Sequence, residues 1–201
     1  MGYTHYYSYK FADPRWPEVF GRTALDAKTI IEAVAKLTPP IEIVREYDRP
    51  TDPPEITEGG IYFNGPGDLG HETFVIDAQP WWVDFAPDDP DPEYQERYAA
   101  YAKYCAVRSE ESGGAEWGFC KTARKPYDLV VCSVLLRLAF HGGDLVTVSS
   151  DGWWDEEWLN GAWPPDGVNI GARGFVATLF PDDPVVDLGK QWAAAENAAL
   201  S

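Results

Sequence analysis

The sequence predicts an α+β domain: a mostly antiparallel sheet packed against one buried central helix at about residues 126–141. Three observations carry this expectation. The segment PYDLVVCSVLLRLAFH is apolar nearly all round, which suits a helix enclosed by other elements. Short runs such as THYYSY, IYFNG and HETFVIDA show the two-residue period or aromatic enrichment of strands. Strand and helix signals do not alternate strictly, as a parallel βαβ winding would require. With 201 residues the chain suits a single domain, 1–201, long enough to bury a real core. Within it, 79–115 reads as a peripheral insertion and 161–201 as a C-terminal extension.

Taken in order, GYTHYYSYKF is an aromatic, nearly alternating strand that DPRWP breaks. Thr23 is placed to cap a helix over ALDAKTIIEAVAKL, where Leu25, Ile30, Ile31, Val34 and Leu37 recur at helical spacing until TPP stops it. IEIVREY alternates as a half-buried strand, and the acidic, proline-rich DRPTDPPEITEGG is a loop. IYFNG and HETFVIDA form an antiparallel hairpin across PGDLG. The insertion opens with PWWVDFAPDDPDP and continues as a helix with Tyr94, Tyr98, Tyr101 and Tyr104 at helical spacing. An amphipathic helix lying on the domain explains that stripe better than a base-stacking platform. EWGFCKT returns as a strand leading into the central helix. DLVTVSSDG is a strand running into a cap, WWDEEWLNGAW a short helix, GFVATLF a last strand and KQWAAAENAAL a terminal helix.

Composition narrows the function classes. Hydrophobic residues at 45% and aromatics at 14% exclude wholesale disorder. A formal charge of −17 argues against a general electrostatic grip on polymeric nucleic acid or an anionic membrane, both of which need a basic face. No apolar run approaches the roughly 18 to 20 residues of a membrane span, and MGYTHYYSYK has no cationic region followed by an apolar core. The expectation is a cytoplasmic protein, in the host cytoplasm if phage-encoded, with no membrane partner; a homo-oligomer is compatible with the sequence. Cys105, Cys120 and Cys132 are odd in number, widely spaced, and without a C-x-x-C pair or a neighbouring His. They predict buried free thiols, no metal and no cofactor, and Cys120 beside Lys121 reads as a small core residue rather than an activated nucleophile.

Against the acidic background, CKTARKPYDL gathers Lys121, Arg124 and Lys125, with Thr122 and Tyr127 in the same turn. Pro126 suits the first turn of the buried helix and Asp128 its positive dipole end. Free N–H groups and cationic side chains at such a place suit a phosphate or carboxylate, which planar Arg124 can grip with two prongs. The plainer reading is a solvated loop whose cations pair with the abundant carboxylates; the rigid strand-to-helix turn favours a site. A second group is HETF with FNG upstream: on a strand His71 and Thr73 share a face, and Asn64 comes from the partner strand. His-x-Thr is half of the two-histidine phosphoesterase signature, and the chain has no second copy: His5 in THYY is followed by Tyr7 where the hydroxyl residue would stand, and His141 sits at a helix exit. The third group, Ser149, Ser150 and Asp151, ends a strand and is adequately explained as a helix cap; the same groups could also hydrogen-bond a ribose or the Lys121 and Arg124 turn. Asp151 with Asp155, Glu156 and Glu157 reads as a solvated face, since consecutive carboxylates on a helix splay apart.

The motifs MGYTHYYSY, FNG, FCKTARKPYDL and VSSDG, in this order, resemble an uncharacterised family of small proteins scattered through bacteria and their phages. The resemblance covers roughly residues 1–12 and 60–160, interrupted by the insertion. Relatives commonly carry Trp at the position of Tyr7 and lack so long an acidic insertion and tail. The resemblance implies recurring polar motifs and a phage association, and no reaction. The leading functional expectation is a binding protein that captures an anionic, phosphate-bearing or nucleotide-like small molecule in a pocket, in a phage a sponge for a host defence signal. The first alternative is a phosphoester-processing enzyme with His5 or His71 as acid or base and Lys121 and Arg124 stabilising developing charge. The second is an acidic interaction protein or nucleic-acid mimic using PDDPDPEYQE and DEEW.

Overall fold

A computed structural model describes residues 3–83, 91–161 and 171–192. Its architecture is α+β, with two three-stranded antiparallel sheets packed against helices. In the first sheet β1 (Thr4–Tyr9) lies between β5 (Glu116–Lys121) and β6 (Val146–Ser150). In the second, β3 (Gly60–Phe63) lies between the short β2 (Glu55–Ile56) and β4 (Phe74–Asp77). The sheets meet where β4 approaches β5 and β1. The buried Tyr7 hydroxyl donates to the Val75 carbonyl at 2.5 Å, and the Asp77 N–H donates to the Tyr9 hydroxyl at 3.3 Å.

The core is built on α3 (Asp128–Gly142), which is buried along nearly its whole length as its all-round apolar sequence requires. It packs on α1 (Trp16–Val34), on α5 (Ala172–Leu179) and on the inner faces of β1 and β6. His5, Tyr7 and Tyr9 alternate toward this core, while Tyr6 and Ser8 face outward. Tyr9 stacks on Trp16 at 4.4 Å between ring centroids, and the Trp16 indole N–H donates to the Ala78 carbonyl at 2.7 Å. By contrast α2 (Pro92–Glu111), in the insertion, buries only Ala102 and Ser109. Phe175, Val176 and Leu188, in the predicted C-terminal extension, are buried in the main core. Among the described residues no helix is long and apolar enough to cross a membrane.

Several local expectations are corrected. Helix α1 begins at Trp16, not after Thr23. Pro17 stands in its first turn, where the missing N–H costs nothing, so DPRWP both ends the first strand and leads into the helix. Thr23 is inside the helix and donates to the Val19 carbonyl at 2.8 Å, and Leu25 lies on the exposed face. IEIVREY is not a strand: Ile41, Ile43 and Val44 are buried, but only Val44 finds a ladder partner, Asn64, before the chain turns back at 46–49. GFVATLF lies in a helix, not a strand, because Ala172, Phe175 and Val176 bury one helical face against α3. His71 and Thr73 precede β4 rather than lying on it. Ser149, Ser150 and Asp151 cap no helix: the short α4 (Glu157–Asn160) begins six residues beyond Asp151, behind Glu156, without a side-chain cap. The terminal helix begins at 188 and its expected continuation past 192 lies outside the described residues, as does 84–90 of the insertion.

Candidate functional site

The register of the first sheet brings two of the three sequence motifs together. Thr4 pairs with Lys121 and His5 with Ser150, so the turns after β5 and after β6 both lie at the N-terminal end of β1. At that junction His5 is fully buried. Its Nε2 is 2.7 Å from Asp128 Oδ1 and its Nδ1 is 3.0 Å from Ser150 Oγ, which also accepts the Gly152 N–H at 2.9 Å. The buried Thr122 hydroxyl donates to the same Asp128 oxygen at 2.5 Å. Cys132, one helical turn beyond Asp128, places Sγ 3.5 Å from His5 Nε2 and 3.7 Å from Asp128 Oδ2. Burial, reinforced by the Asp128 charge, pushes the Cys132 thiol well above its usual range. Burial likewise raises the Cys120 thiol, which fits a core residue and not an activated nucleophile.

The cations do not converge. Arg124 lays its guanidinium over the Tyr3 ring at 4.2 Å and donates to Glu157 Oε1 at 3.3 Å; its carboxylate partner is thus neither Asp128 nor Asp151. The Lys121 ammonium is 3.6 Å from Glu72, whose other oxygen accepts the Lys121 N–H at 2.7 Å. Lys125 donates to the Asp68 carbonyl at 2.7 Å. The turn carrying them is strained: Ala123 and Arg124 are consecutive non-glycine residues with φ of 51° and 58°. Such left-handed residues each cost on the order of 1 to 3 kcal/mol and persist where the surroundings enforce them. Here the enforcing contacts are the Thr122 and Ala123 N–H groups, both donating to the Tyr3 carbonyl.

The remaining candidates hold the scaffold. Asn64 is fully buried and fastens the 64–73 loop. Its Oδ1 accepts the Gly65 and His71 N–H groups at 2.8 and 3.1 Å, and its Nδ2 donates to the His71 carbonyl at 3.1 Å and to Thr73 Oγ1 at 3.2 Å. His71 is exposed and is tied into this loop through its main chain, apart from the buried His5 network. Tyr127 is buried and donates to the Glu72 carbonyl at 2.8 Å, and burial raises its phenol. Tyr7 joins the two sheets. Ser149 faces outward on β6, and Asp151 accepts the Thr4 N–H at 3.0 Å. Sequence reasoning passed over Tyr3 and Glu72, read Cys132 only as a buried free thiol, and put Glu157 on a solvated face, whereas Glu157 accepts from Arg124 and from the Trp153 N–H. Only the four-residue spacing of Asp128 and Cys132 on one helix was a usable signal. His5, absent from the neighbourhood of every Cys in sequence, reaches Cys132 across 127 positions.

Comparison with known proteins gives no match to a family model, to a curated protein or to a solved structure.

Proposed function

We propose that the protein captures a phosphate-bearing, nucleotide-like small molecule at the junction where the turns after β5 and β6 meet, with Arg124 as its principal contact. In a phage such a binder acts as a sponge for a host signal. The observation supporting this most directly is the strained Ala123–Arg124 pair. Backbone strain of this kind needs a return, and its effect here is to stack Arg124 flat on Tyr3 with the guanidinium partly exposed and met by one carboxylate. A phosphate can take the place of Glu157 on that fork, and two-pronged geometry suits it better than an ammonium does.

Native mass spectrometry of protein purified from phage-infected and uninfected cells identifies a co-purifying molecule, and titration with a panel of nucleoside monophosphates measures affinity. Arg124→Ala is expected to weaken binding about ten- to a hundredfold, as loss of a charge-assisted hydrogen bond does, with the melting temperature nearly unchanged. Arg124→Lys is expected to recover part of that loss. A lowered melting temperature with ligand affinity intact would show that the Arg124–Glu157 pair is purely structural and would overturn the proposal.

A further inference from the structure

Beneath the Arg124 turn, His5 of β1 and two residues one turn apart on α3 bring an imidazole nitrogen, a carboxylate and a sulfur within 4.8 Å of one another, all of them buried. We propose that His5 Nε2, Asp128 Oδ2 and Cys132 Sγ are three ligands of a buried site for a divalent transition-metal ion of the zinc class. The ligand set is the borderline mixture of N, O and S that zinc accepts. Atoms about 2.0 to 2.3 Å from a tetrahedral ion stand about 3.3 to 3.7 Å from one another. The observed separations are 3.5 Å from sulfur to nitrogen and 3.7 Å from sulfur to Oδ2. The short contact, 2.7 Å, runs from Nε2 to the other oxygen, Oδ1, which Thr122 already holds. A modest carboxylate rotation would turn Oδ2 toward the ion and leave Oδ1 with Thr122.

The surroundings have the form that supports metal ligands. A ligating histidine usually donates its second ring N–H to a neighbour that fixes the tautomer, and a ligating carboxylate is itself hydrogen-bonded. Ser150 Oγ stands 3.0 Å from His5 Nδ1 and is oriented by the Gly152 N–H; Thr122 serves Asp128. If Nδ1–H donates to Ser150, the Nε2 lone pair faces the carboxylate and sulfur with no proton of its own, and either the Cys132 thiol proton or a cation stands between them. The competing occupant is a proton on Nε2. Trp158 adds a second observation: it is fully buried, edge-on to His5 at 5.4 Å between centroids, and its Nε1–H has no acceptor among the described residues. A water on the ion's fourth position is the kind of acceptor that donor lacks.

Protein stripped with a chelator, and shown by circular dichroism to be folded, is titrated with Co2+ as a spectroscopic stand-in and then with Zn2+. The expected result is saturable binding of a single ion, a thiolate-to-cobalt charge-transfer band, and loss of that band when Zn2+ displaces Co2+. Cys132→Ser, which preserves size, removes the band, whereas the joint Cys105→Ser and Cys120→Ser variant keeps it. Ser150→Ala, which frees the His5 ring, weakens Zn2+ about ten- to a hundredfold. A folded wild-type protein that binds no Co2+ stoichiometrically, or a band that survives Cys132→Ser, would establish the proton as the occupant and overturn the inference. The titration uses the metal alone, so its failure is separate from failure of the small-molecule reading.

Discussion

Arg137 shows how much a single residue can contribute when its charge is enclosed and fully paired. With Asp128 it is one of the two buried charged residues of the largely apolar α3. Its guanidinium lies against the rings of Phe140 and Phe180 at 4.5 and 4.0 Å, and donates to Asp26 at 2.6 Å and Asp183 at 2.7 Å. His141 Nε2 lies 2.7 Å from the same Asp26 oxygen. Burial alone would raise the Asp26 carboxyl; the hydrogen bonds from His141 and Arg137 and the Arg137 charge outweigh it and hold the carboxyl below its ordinary range. A carboxyl lowered in the folded state contributes stability above its unfolded pKa and loses that contribution as pH falls through the folded one. Arg137→Ala is therefore expected to cost about 3 kcal/mol near neutral pH, since it leaves the partly buried Asp26 carboxylate with His141 alone. The difference from wild type should hold near neutral pH and shrink only as pH falls below the ordinary carboxylate value of about 3.9 and through the lowered folded-state value, where Asp26 takes up its proton. Urea denaturation across that range tests both parts; a pH-independent difference would assign the loss to packing of the arginine stem. The cluster was not legible in the sequence, because its members lie at 26, 137, 141 and 183 and only the fold makes them neighbours.

Among the elements, α2 and α5 make opposite cases. Helix α2 is long, yet its exposed tyrosines and two buried residues leave it little hold on the domain. Replacing residues 91–112 by a short Gly/Ser linker is expected to change the unfolding free energy by about 1 kcal/mol, the scale of one or two small buried groups. Trp82, which precedes the helix, is the stronger anchor: its ring meets Phe11 edge-on at 5.4 Å and its N–H donates to Glu116 at 3.0 Å. Trp82→Ala should cost about 3 kcal/mol, more than loss of the helix itself. Chemical denaturation of the two variants tests this order, and the reverse order would make α2 part of the core. The peripheral helix was legible because its polar faces show in the sequence. In GFVATLF the signal misled: Val176 and Thr178 favour strands and the run is short, whereas the decisive term is burial of Phe175 and Val176 against α3, a partner that no local pattern names. Helix α3 was legible for the complementary reason, since a run apolar on every side must be enclosed whatever encloses it. The site follows the same division. The polar motifs marked the junction at the end of β1, and the two cross-strand registers that assemble it lie outside any local pattern.

At the scale of the whole molecule, two features point in opposite directions on nucleic acid. The outer face of the first sheet carries Tyr6 stacked on Trp117 at 6.2 Å and Trp117 against Phe119 at 5.4 Å, with Trp117 and Phe119 about half exposed, at 59% and 46%. An antiparallel sheet with neighbouring exposed aromatics is a form on which bases can stack, at about 1 to 3 kcal/mol each. Against it stands the charge of −17, which repels a phosphate backbone over the whole approach and leaves no stripe of cations to release its counterions. Among the described residues that line the far end of this face the cations are Lys10 and Arg108, and Arg108 is paired with Glu111 at 3.3 Å. Repulsion is expected to win. Random single-stranded DNA or RNA should neither shift the protein in a gel nor quench its tryptophan fluorescence at about 150 mM salt. Lowering the salt to about 50 mM should not induce binding, because weaker screening strengthens the repulsion between like-charged molecules. A cation-driven interaction would behave in the opposite sense, tightening steeply as salt falls. Binding that appears at about 150 mM and strengthens on dilution of salt would therefore sink the prediction and make Trp117 and Phe119 a stacking surface. Trp117→Ala with Phe119→Ala would then be expected to abolish it without unfolding the sheet, whose core lies on the other face.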